Sequence, residues 1–296
     1  MKIWFNGQLH TRDTIERGLL EQGLHYGTGV FEGIRAYATP RGPAIFRLAE
    51  HMDRMERGAQ KLNMTIDREG MENAMQTLLF ENELDNAYIR PIAYYGGGPL
   101  HLDTHDLQTR QAVATLPWKS HLGEDKADLG VRMMISSMRK NSCRAIPALK
   151  LCGGYVNAII AKLEATRAGF DEALFLDDDG RVVEATAENL FMVKDGQVTS
   201  IEHPDALPGI TRDTIRELSG GDRRSVKIAE LLDADEIFLT GTSAEVAPIT
   251  QLNERRYKIG PITRDLAATY RDIVGGRDSG FDRWLTYAEP GRLAAK

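Results

Sequence analysis

Cysteine is almost missing from this chain: Cys143 and Cys152 are the only two in 296 residues. That excludes a disulfide-stapled scaffold, and their setting matches no zinc or redox motif. No uninterrupted apolar run approaches the ~20 residues that a membrane-spanning helix needs. The opening "MKIWFNGQLHTRDTIERG" has no apolar stretch of the secretory kind, so the cytoplasm is the expected location. Internal repeats and low-complexity tracts are missing as well. Positive charge is in deficit, with 37 Lys and Arg against 43 Asp and Glu and a net charge of −6. That balance argues against a chain whose main task is to coat nucleic acid or anionic membrane. The basic cluster "GDRRSVK" (221–227) is short and reads as solvated loop. What remains is an ordinary globular composition, 42% hydrophobic and 27% charged. The length suits two modest domains or one large one.

Periodicity divides the chain into elements. "KIWFNGQLH" has a strand pattern broken by Asn6-Gly7, the pair that a type I′ hairpin demands. "GVFEGIRAYA" (29–38) and "PAIFRL" (43–48) read as two strands joined by the turn "TPRG". From Leu48 the period changes: Leu48, Met52, Met55, Ala59 and Leu62 step by three and four, as in an amphipathic helix. Met71, Met75, Leu78 and Leu79 mark a second helix, and "AYIRPIAYYGGG" (87–98) and "QAVATLPW" (111–118) return to strand. The polar stretch "KSHLGEDKADLG" (119–130) reads as a link between domains. Boundaries of 1–120, 121–130 for the link and 131–296 follow. The second part holds strand "VRMMISS", a helix from about Val156 to Ala168 closed by Gly169, and strands flanking "DDDGR". A hairpin at Asp195-Gly196, short helices near 211–218, 229–234 and 262–274, and strand "EIFLTG" (236–241) complete it. Strand runs, hairpin turns and scattered helices indicate an α+β fold.

One lysine stands out. In "CRAIPALKLCGGY" (143–155), Lys150 lies among Ile146, Pro147, Ala148, Leu149 and Leu151. Such a lysine either snorkels its ammonium to water, the commoner case, or is held indoors for a purpose. Gly153-Gly154 beyond it lets backbone approach a ligand closely. "LPGITRD" (207–213) opens a helix whose amides could hold an anion, and "TGTSAEV" (240–246) is a second turn of small residues after a strand. Two turns rich in amide and hydroxyl donors could grip one phosphate. Taken singly, each is a turn or a capped helix start.

Other stretches change that reading. "HYGTGVFEGIRAY" (25–37), "EHMDRM" (50–55), "AYIRP" (87–91), "EATAENLF" (184–191), "LPGITRD" and "GTSAE" (241–245) closely resemble the branched-chain amino acid aminotransferases. These are pyridoxal 5′-phosphate (PLP) enzymes of fold type IV. The resemblance runs in order from about residue 4 to "RWLTY" (283–287). It implies the two-domain architecture of the D-amino acid aminotransferase-like fold, with a smaller N-terminal α/β domain and a larger C-terminal pseudo-barrel domain carrying the PLP lysine.

The resemblance also implies roles. Lys150 is the Schiff-base lysine; its apolar setting would lower its pKa and supply neutral amine. Glu184 pairs with the pyridine nitrogen and keeps it protonated, and Tyr155 hydrogen-bonds the phenolic oxygen. Arg54, amides of Ile210 and Thr211 and the Thr242 hydroxyl hold the phosphate, and Leu207 packs on the ring. Tyr26, Phe31, Arg35, Tyr88, Arg90 and Trp118 match the substrate pocket, with Arg90 taking glutamate's side-chain carboxylate. Tyr88 and amides near Thr242 and Ser243 take the α-carboxylate. No metal is implied.

Two features depart from the family pattern. His121 stands where bacterial members usually place a tyrosine, and histidine titrates near neutrality. The loop "GGGPLHLDTHD" (96–106), which in relatives contributes to the neighbouring subunit's pocket, also differs. The expected activity is amino transfer from leucine, isoleucine or valine to 2-oxoglutarate. A homodimer is the minimum unit, with a trimer of dimers as a larger assembly. D-amino acid or (R)-amine transaminase and aminodeoxychorismate lyase share the fold, and "GVFEGIRAY" and "YIRP" favour the branched-chain group over D-amino acid transaminase and the lyase. A catalytically dead scaffold is opposed by intact Lys150, Glu184 and Arg54. A phosphosugar-binding domain would leave Lys150 and Glu184 unexplained.

Overall fold

Asn6 and Gly7 both take positive φ, 46° and 87°. In the computed structural model they close a two-residue hairpin between β1 (Lys2–Phe5) and β2 (Gln8–Thr11). The structure describes residues 1–11, 21–118 and 129–289. The expected interdomain link and His121 therefore lie largely outside the described residues.

The chain divides into two units. The first takes the described residues within Met1–Trp118 together with Lys150–Gly153 and Ile273–Lys296; the second takes those within Lys119–Leu149 and Gly154–Asp272. A division by chain position at residue 131 differs from this in two respects: Lys150–Gly153 and the described residues from Ile273 onward both group with the first unit. For Lys150–Gly153 the reason is local pairing. Phe31 N donates to Lys150 O at 3.2 Å, Gly153 N donates to Gly27 O at 3.0 Å, and Val30 bridges Leu151. A Cβ on Gly27, whose φ is 67°, would lie only 2.8 Å from Gly153 Cα, so a side chain here would push the two segments apart.

Unit one is built on an antiparallel sheet. It contains β3 (Gly29–Phe31), β4 (Ile34–Thr39), β5 (Gly42–Phe46), β6 (Ala87–Gly96), β7 (Gln108–Pro117) and the late strand Leu285–Tyr287. The order is late strand, β5, β4, β6, β7, β1, β2, with β3 also pairing β6. The single strand expected over 29–38 is thus two strands, broken at Glu32-Gly33. Pro91 sits in β6 next to that break and has no N–H to donate, though its carbonyl accepts from Glu32 N at 3.0 Å. A Cβ on Gly33 would run into the Tyr88 hydroxyl, so the break also makes room for that side chain. Among the described residues three α-helices accompany this sheet: α1 (Gln22–Tyr26), α2 (Leu48–Lys61) and α3 (Arg68–Glu81). The expected stripe of α2 is buried at Leu48, Met52, Met55 and Ala59. On α3, Met71, Met75, Leu78 and Leu79 are buried, and this helix packs on β7, β1 and β6.

Unit two is built on a mixed sheet of nine strands. They are β8 (Val131–Arg139), β9 (Glu172–Leu176), β10 (Val182–Ala185), β11 (Asn189–Lys194), β12 (Gln197–Ile201), β13 (Asp222–Arg224), β14 (Glu236–Gly241), β15 (Glu245–Leu252) and β16 (Arg255–Arg256). The order is β10, β9, β8, β15, β14, β11, β12, β13, with β16 pairing β15. Strand β15 was not apparent from the "TGTSAEV" pattern, which reads as a turn because Thr242–Ala244 are one. The helices are α4 (Tyr155–Arg167), α5 (Ile210–Ser219), α6 (Ile228–Leu232) and α7 (Pro261–Val274). α4 packs on β8 and β9 through Ala158, Ala161 and Ala165, leaving Val156, Ile159, Ile160 and Leu163 exposed. The core on one face of the sheet is mainly aliphatic and takes Leu190, Met192, Ile237 and Leu239, while Phe191 and Phe238, alternating with them, stack at 5.0 Å on the other face. Among the described residues no helix is long and apolar enough to cross a membrane.

Candidate active site

Strand β6 alternates strictly. Ala87, Ile89, Pro91 and Ala93 are buried, so Tyr88 and Arg90 stand together on the other face. Arg90 Nη2 donates to Tyr88 Oη at 2.6 Å. Arg35, opposite Tyr88 in the ladder, places its guanidinium 4.2 Å from the Tyr37 ring and 4.0 Å from the Trp118 ring. Phe31 ends β3 and meets two cations, Lys150 Nζ at 5.1 Å and the Arg90 guanidinium at 4.8 Å from its centroid. Lys150 itself is half-buried. Tyr26, exposed at the end of α1, donates to Leu100 O at 3.3 Å, joining it to the loop 96–106. Arg90 Nε and Trp118 Nε1 are buried with no hydrogen-bond partner among the described residues. Buried donors of this kind call for an acceptor.

Arg54 projects from α2 onto Glu32, in the break between β3 and β4. Its Nε and Nη2 donate to the two carboxylate oxygens at 2.6 and 2.8 Å. His51 Nδ1 lies 2.9 Å from Glu32 Oε2. All three side chains are buried. Burial alone would push the Glu32 carboxyl up, but the Arg54 charge and the bonds from Arg54 and His51 outweigh it. They hold the carboxyl well below the usual carboxylate range. Burial pushes the His51 imidazole down against the pull of Glu32, and the Arg54 and Lys150 charges add to that depression. An ionised Glu32 accepts only, so a neutral His51 carries its proton on Nδ1.

In unit two, Glu184 ends up as an acceptor from three sides. Lys140 Nζ lies 2.8 Å from Oε1, while Asn189 Nδ2 and Leu207 N donate to Oε2 at 3.1 and 2.9 Å. Asn189 Nδ2 also donates to Leu207 O at 3.0 Å, which fixes the approach to α5. At that helix the N-cap is Gly209, and no side chain caps the first turn. A Cβ on Gly209 would strike Asn189 Oδ1, so glycine leaves the first-turn amides uncovered. Ile210 and Thr211 begin the helix, both buried. Tyr155 opens α4, and Thr242 and Ser243 form the β14–β15 turn. Unit one therefore holds Tyr26, Phe31, Arg35, Arg54, Tyr88, Arg90, Trp118 and Lys150, and unit two holds the others. His121 is not among the described residues.

Glu32, His51, Asn189 and Lys140 were not singled out from the sequence. Three lie inside motifs quoted for other residues: "GVFEGIRAY", "EHMDRM" and "EATAENLF". The signal that could have found Glu32 is an acid beside a glycine within an apolar strand. Lys140 carries no such signal.

A family model for amino-transferase class IV matches residues 29–252. The branched-chain-amino-acid aminotransferase of Pseudomonas aeruginosa is 37% identical over 295 residues, covering 96% of each chain. That of Escherichia coli K12 is 34% identical over 297 residues, covering 95% of each. This chain belongs to amino-transferase class IV. Among solved structures, the Thermoproteus uzoniensis branched-chain aminotransferase with norvaline superposes with a TM-score of 0.92 at 36% identity, over 98% of this chain and 99% of that one. The Thermobaculum terrenum branched-chain amino acid aminotransferase in its PLP form gives a TM-score of 0.88 at 32% identity, over 96% and 97%. Class IV enzymes depend on PLP, and the residues present here fit that group. Unit one offers an amine beside an aromatic ring, and unit two offers a buried acceptor carboxylate and an uncapped helix start suited to a phosphate dianion.

Proposed function

We propose that this chain transfers the amino group of leucine, isoleucine or valine to PLP and then to 2-oxoglutarate, giving glutamate. The observation that carries the reading is likeness over nearly the whole chain to branched-chain aminotransferases, at 37% and 34% identity. When bound, PLP supplies an aldehyde that condenses with amines and a ring that takes up the electron pair left on the amino acid's Cα.

The protein's own residues supply the rest. Lys150 Nζ would hold the cofactor covalently in the resting enzyme; once the substrate's own amine displaces it, the freed Lys150 amine would take the proton from the substrate's Cα. Glu184 would hold the proton on the ring nitrogen, and Tyr155 would donate to the phenolic oxygen. Leu207 packs against the ring. The phosphate would be held by Arg54, by the amides of Ile210 and Thr211 and by the Thr242 hydroxyl, with Glu32 fixing the Arg54 fork. Tyr26, Phe31 and Trp118 form apolar wall, with Arg35 held between the Tyr37 and Trp118 rings. Tyr88 and amides at Thr242 and Ser243 take the α-carboxylate, and Arg90 takes the side-chain carboxylate of glutamate. Arg90's orphaned Nε supports that assignment, because a carboxylate would satisfy it.

The enzyme works as a homodimer at least, in the cytoplasm, without nucleic acid or membrane partners. Exposed Leu24, Leu100 and Leu102, the last 81% exposed, support an assembly that covers them. The test is borohydride reduction of the PLP-loaded protein followed by peptide mass spectrometry. Cofactor on Lys150 alone, with turnover of L-leucine and not of D-alanine or (R)-1-phenylethylamine, is the expected result. Label on Lys162 or Lys194 instead would overturn it.

A further inference from the structure

Lys140 follows directly on β8, is only partly exposed, and has no use in the proposed reading. The side chain is 16% exposed, with Nζ 2.8 Å from Glu184 Oε1 and 5.3 Å from the centroid of the Phe175 ring. Phe175 is itself fully buried. The backbone on both sides of Lys140 is held by one residue of α4. Asn157 Nδ2 donates to Arg139 O at 2.9 Å, and Asn141 N donates to Asn157 Oδ1 at 3.2 Å. Asn141 Nδ2 adds a bond to Gly154 O at 3.3 Å. The lysine is placed, not merely adjacent.

We propose that Lys140 is a positioning residue that biases the proton shared between Glu184 and the cofactor's ring nitrogen toward the nitrogen. The inference rests on the reading of Glu184 as the ring-nitrogen partner. A carboxylate facing a pyridine can exist as carboxylate with pyridinium or as carboxylic acid with neutral pyridine. Only the first makes the ring a strong electron acceptor. A cation bonded to one carboxylate oxygen stabilises the negative form more than it repels a cation beyond the other oxygen, because the nearer charge dominates. Asn189 and the Leu207 amide also favour the ionised form, but as dipoles and not as charges. The ion pair orients Glu184 as well, since both its oxygens are then engaged.

Unit two contains its own control. Lys162 Nζ also reaches a buried carboxylate, Glu172 Oε2, at 2.6 Å, and donates to Asp171 O at 2.6 Å. Its removal should weaken the fold without touching the ring nitrogen.

The experiment loads the protein with PLP labelled with 15N in the ring and reads the nitrogen's chemical shift. In the wild type the shift is that of a pyridinium across the neutral pH range. Lys140→Met should move it toward neutral pyridine and make it pH-dependent, and slow the leucine half-reaction roughly tenfold to a hundredfold. Lys140→Arg should restore both, and Lys162→Met should lower the melting temperature with the shift unchanged. Glu184→Gln separates the role of Glu184 from that of Lys140. An unchanged shift in Glu184→Gln overturns the reading of Glu184. A changed shift there, with Lys140→Met like the wild type, overturns only the role of Lys140. If Lys140→Met does not fold, Lys140→Gln replaces it; failure of both to fold makes the residue structural and overturns the inference.

Discussion

Each unit buries a glutamate completely, Glu32 in the first and Glu172 in the second, and their ionisation moves in opposite directions. Desolvation pushes both carboxyls up. At Glu32 the planar fork of Arg54 meets both oxygens and His51 adds a third donor, so the charged form wins. At Glu172 the partner is Lys162, a single point charge, helped by bonds from Thr186 Oγ1 at 2.6 Å and Ala173 N at 2.8 Å. Glu188, close enough to repel, adds to the burial effect, and the Glu172 carboxyl is pushed up. Burial alone decides neither case. The number of charge-assisted bonds and the sign of the nearest other charge do.

The comparison can be broken at several points. The largest effect is expected in unit one, where Lys150→Ala should bind PLP without a covalent bond and lose turnover by orders of magnitude. Stopped-flow kinetics with leucine checks it; near-wild-type rates would place the amine elsewhere.

Next is stability. Glu32→Ala leaves the Arg54 guanidinium buried without its partner and should cost about 3–5 kcal/mol in urea unfolding. Glu172→Gln keeps the hydrogen-bonding shape and removes a charge that burial and Glu188 already oppose, so it should cost less than about 1.5 kcal/mol. Equal losses would erase the distinction between the two carboxylates.

A smaller effect concerns substrate. Arg90→Ala should weaken glutamate and 2-oxoglutarate by about 1.5–3 kcal/mol, the usual worth of a charge-assisted contact, and leucine much less. Half-reaction titrations with each substrate measure this. Equal damage to both would place Arg90 on the α-carboxylate.

The smallest effect is the pH dependence, and its sign differs between units. Glu32 has a depressed folded pKa, so its stabilisation is present above the unfolded value of about 4.3 and is lost as pH falls. Glu172 has a raised folded pKa, so its contribution is full below about 4.3 and is lost as pH rises toward the folded value. Relative to Glu32→Gln, the wild type should therefore gain stability as pH climbs out of the acid range. Relative to Glu172→Gln it should lose stability on the same climb. Unfolding curves across that range test both signs.

Much of the architecture was legible in local pattern. Leu48, Met52, Met55 and Ala59 step at helical spacing and are all buried on α2. Asn6-Gly7 and Asp195-Gly196 both close hairpins with positive φ, because few other pairs tolerate that backbone. Candidate site residues were legible through motif order, which resemblance carries and spacing alone does not. Where pattern failed, a distant residue was responsible. The run 29–38 reads as one strand, yet Glu32 turns inward to Arg54 and Gly33 yields to Tyr88.

The sequence by itself determined most of the strands and helices, the α+β class and the family, since periodicity, turn chemistry and motif order are properties of neighbouring residues. Tertiary structure alone decided that Lys150 groups with unit one, that α4 turns its alanines inward and its isoleucines outward, and that Lys140 reaches Glu184. It also decided that two equally buried glutamates shift in opposite directions. These outcomes depend on strand register and on which charges the fold brings within a few ångströms, where electrostatic energy in a weakly screening interior changes most steeply with distance.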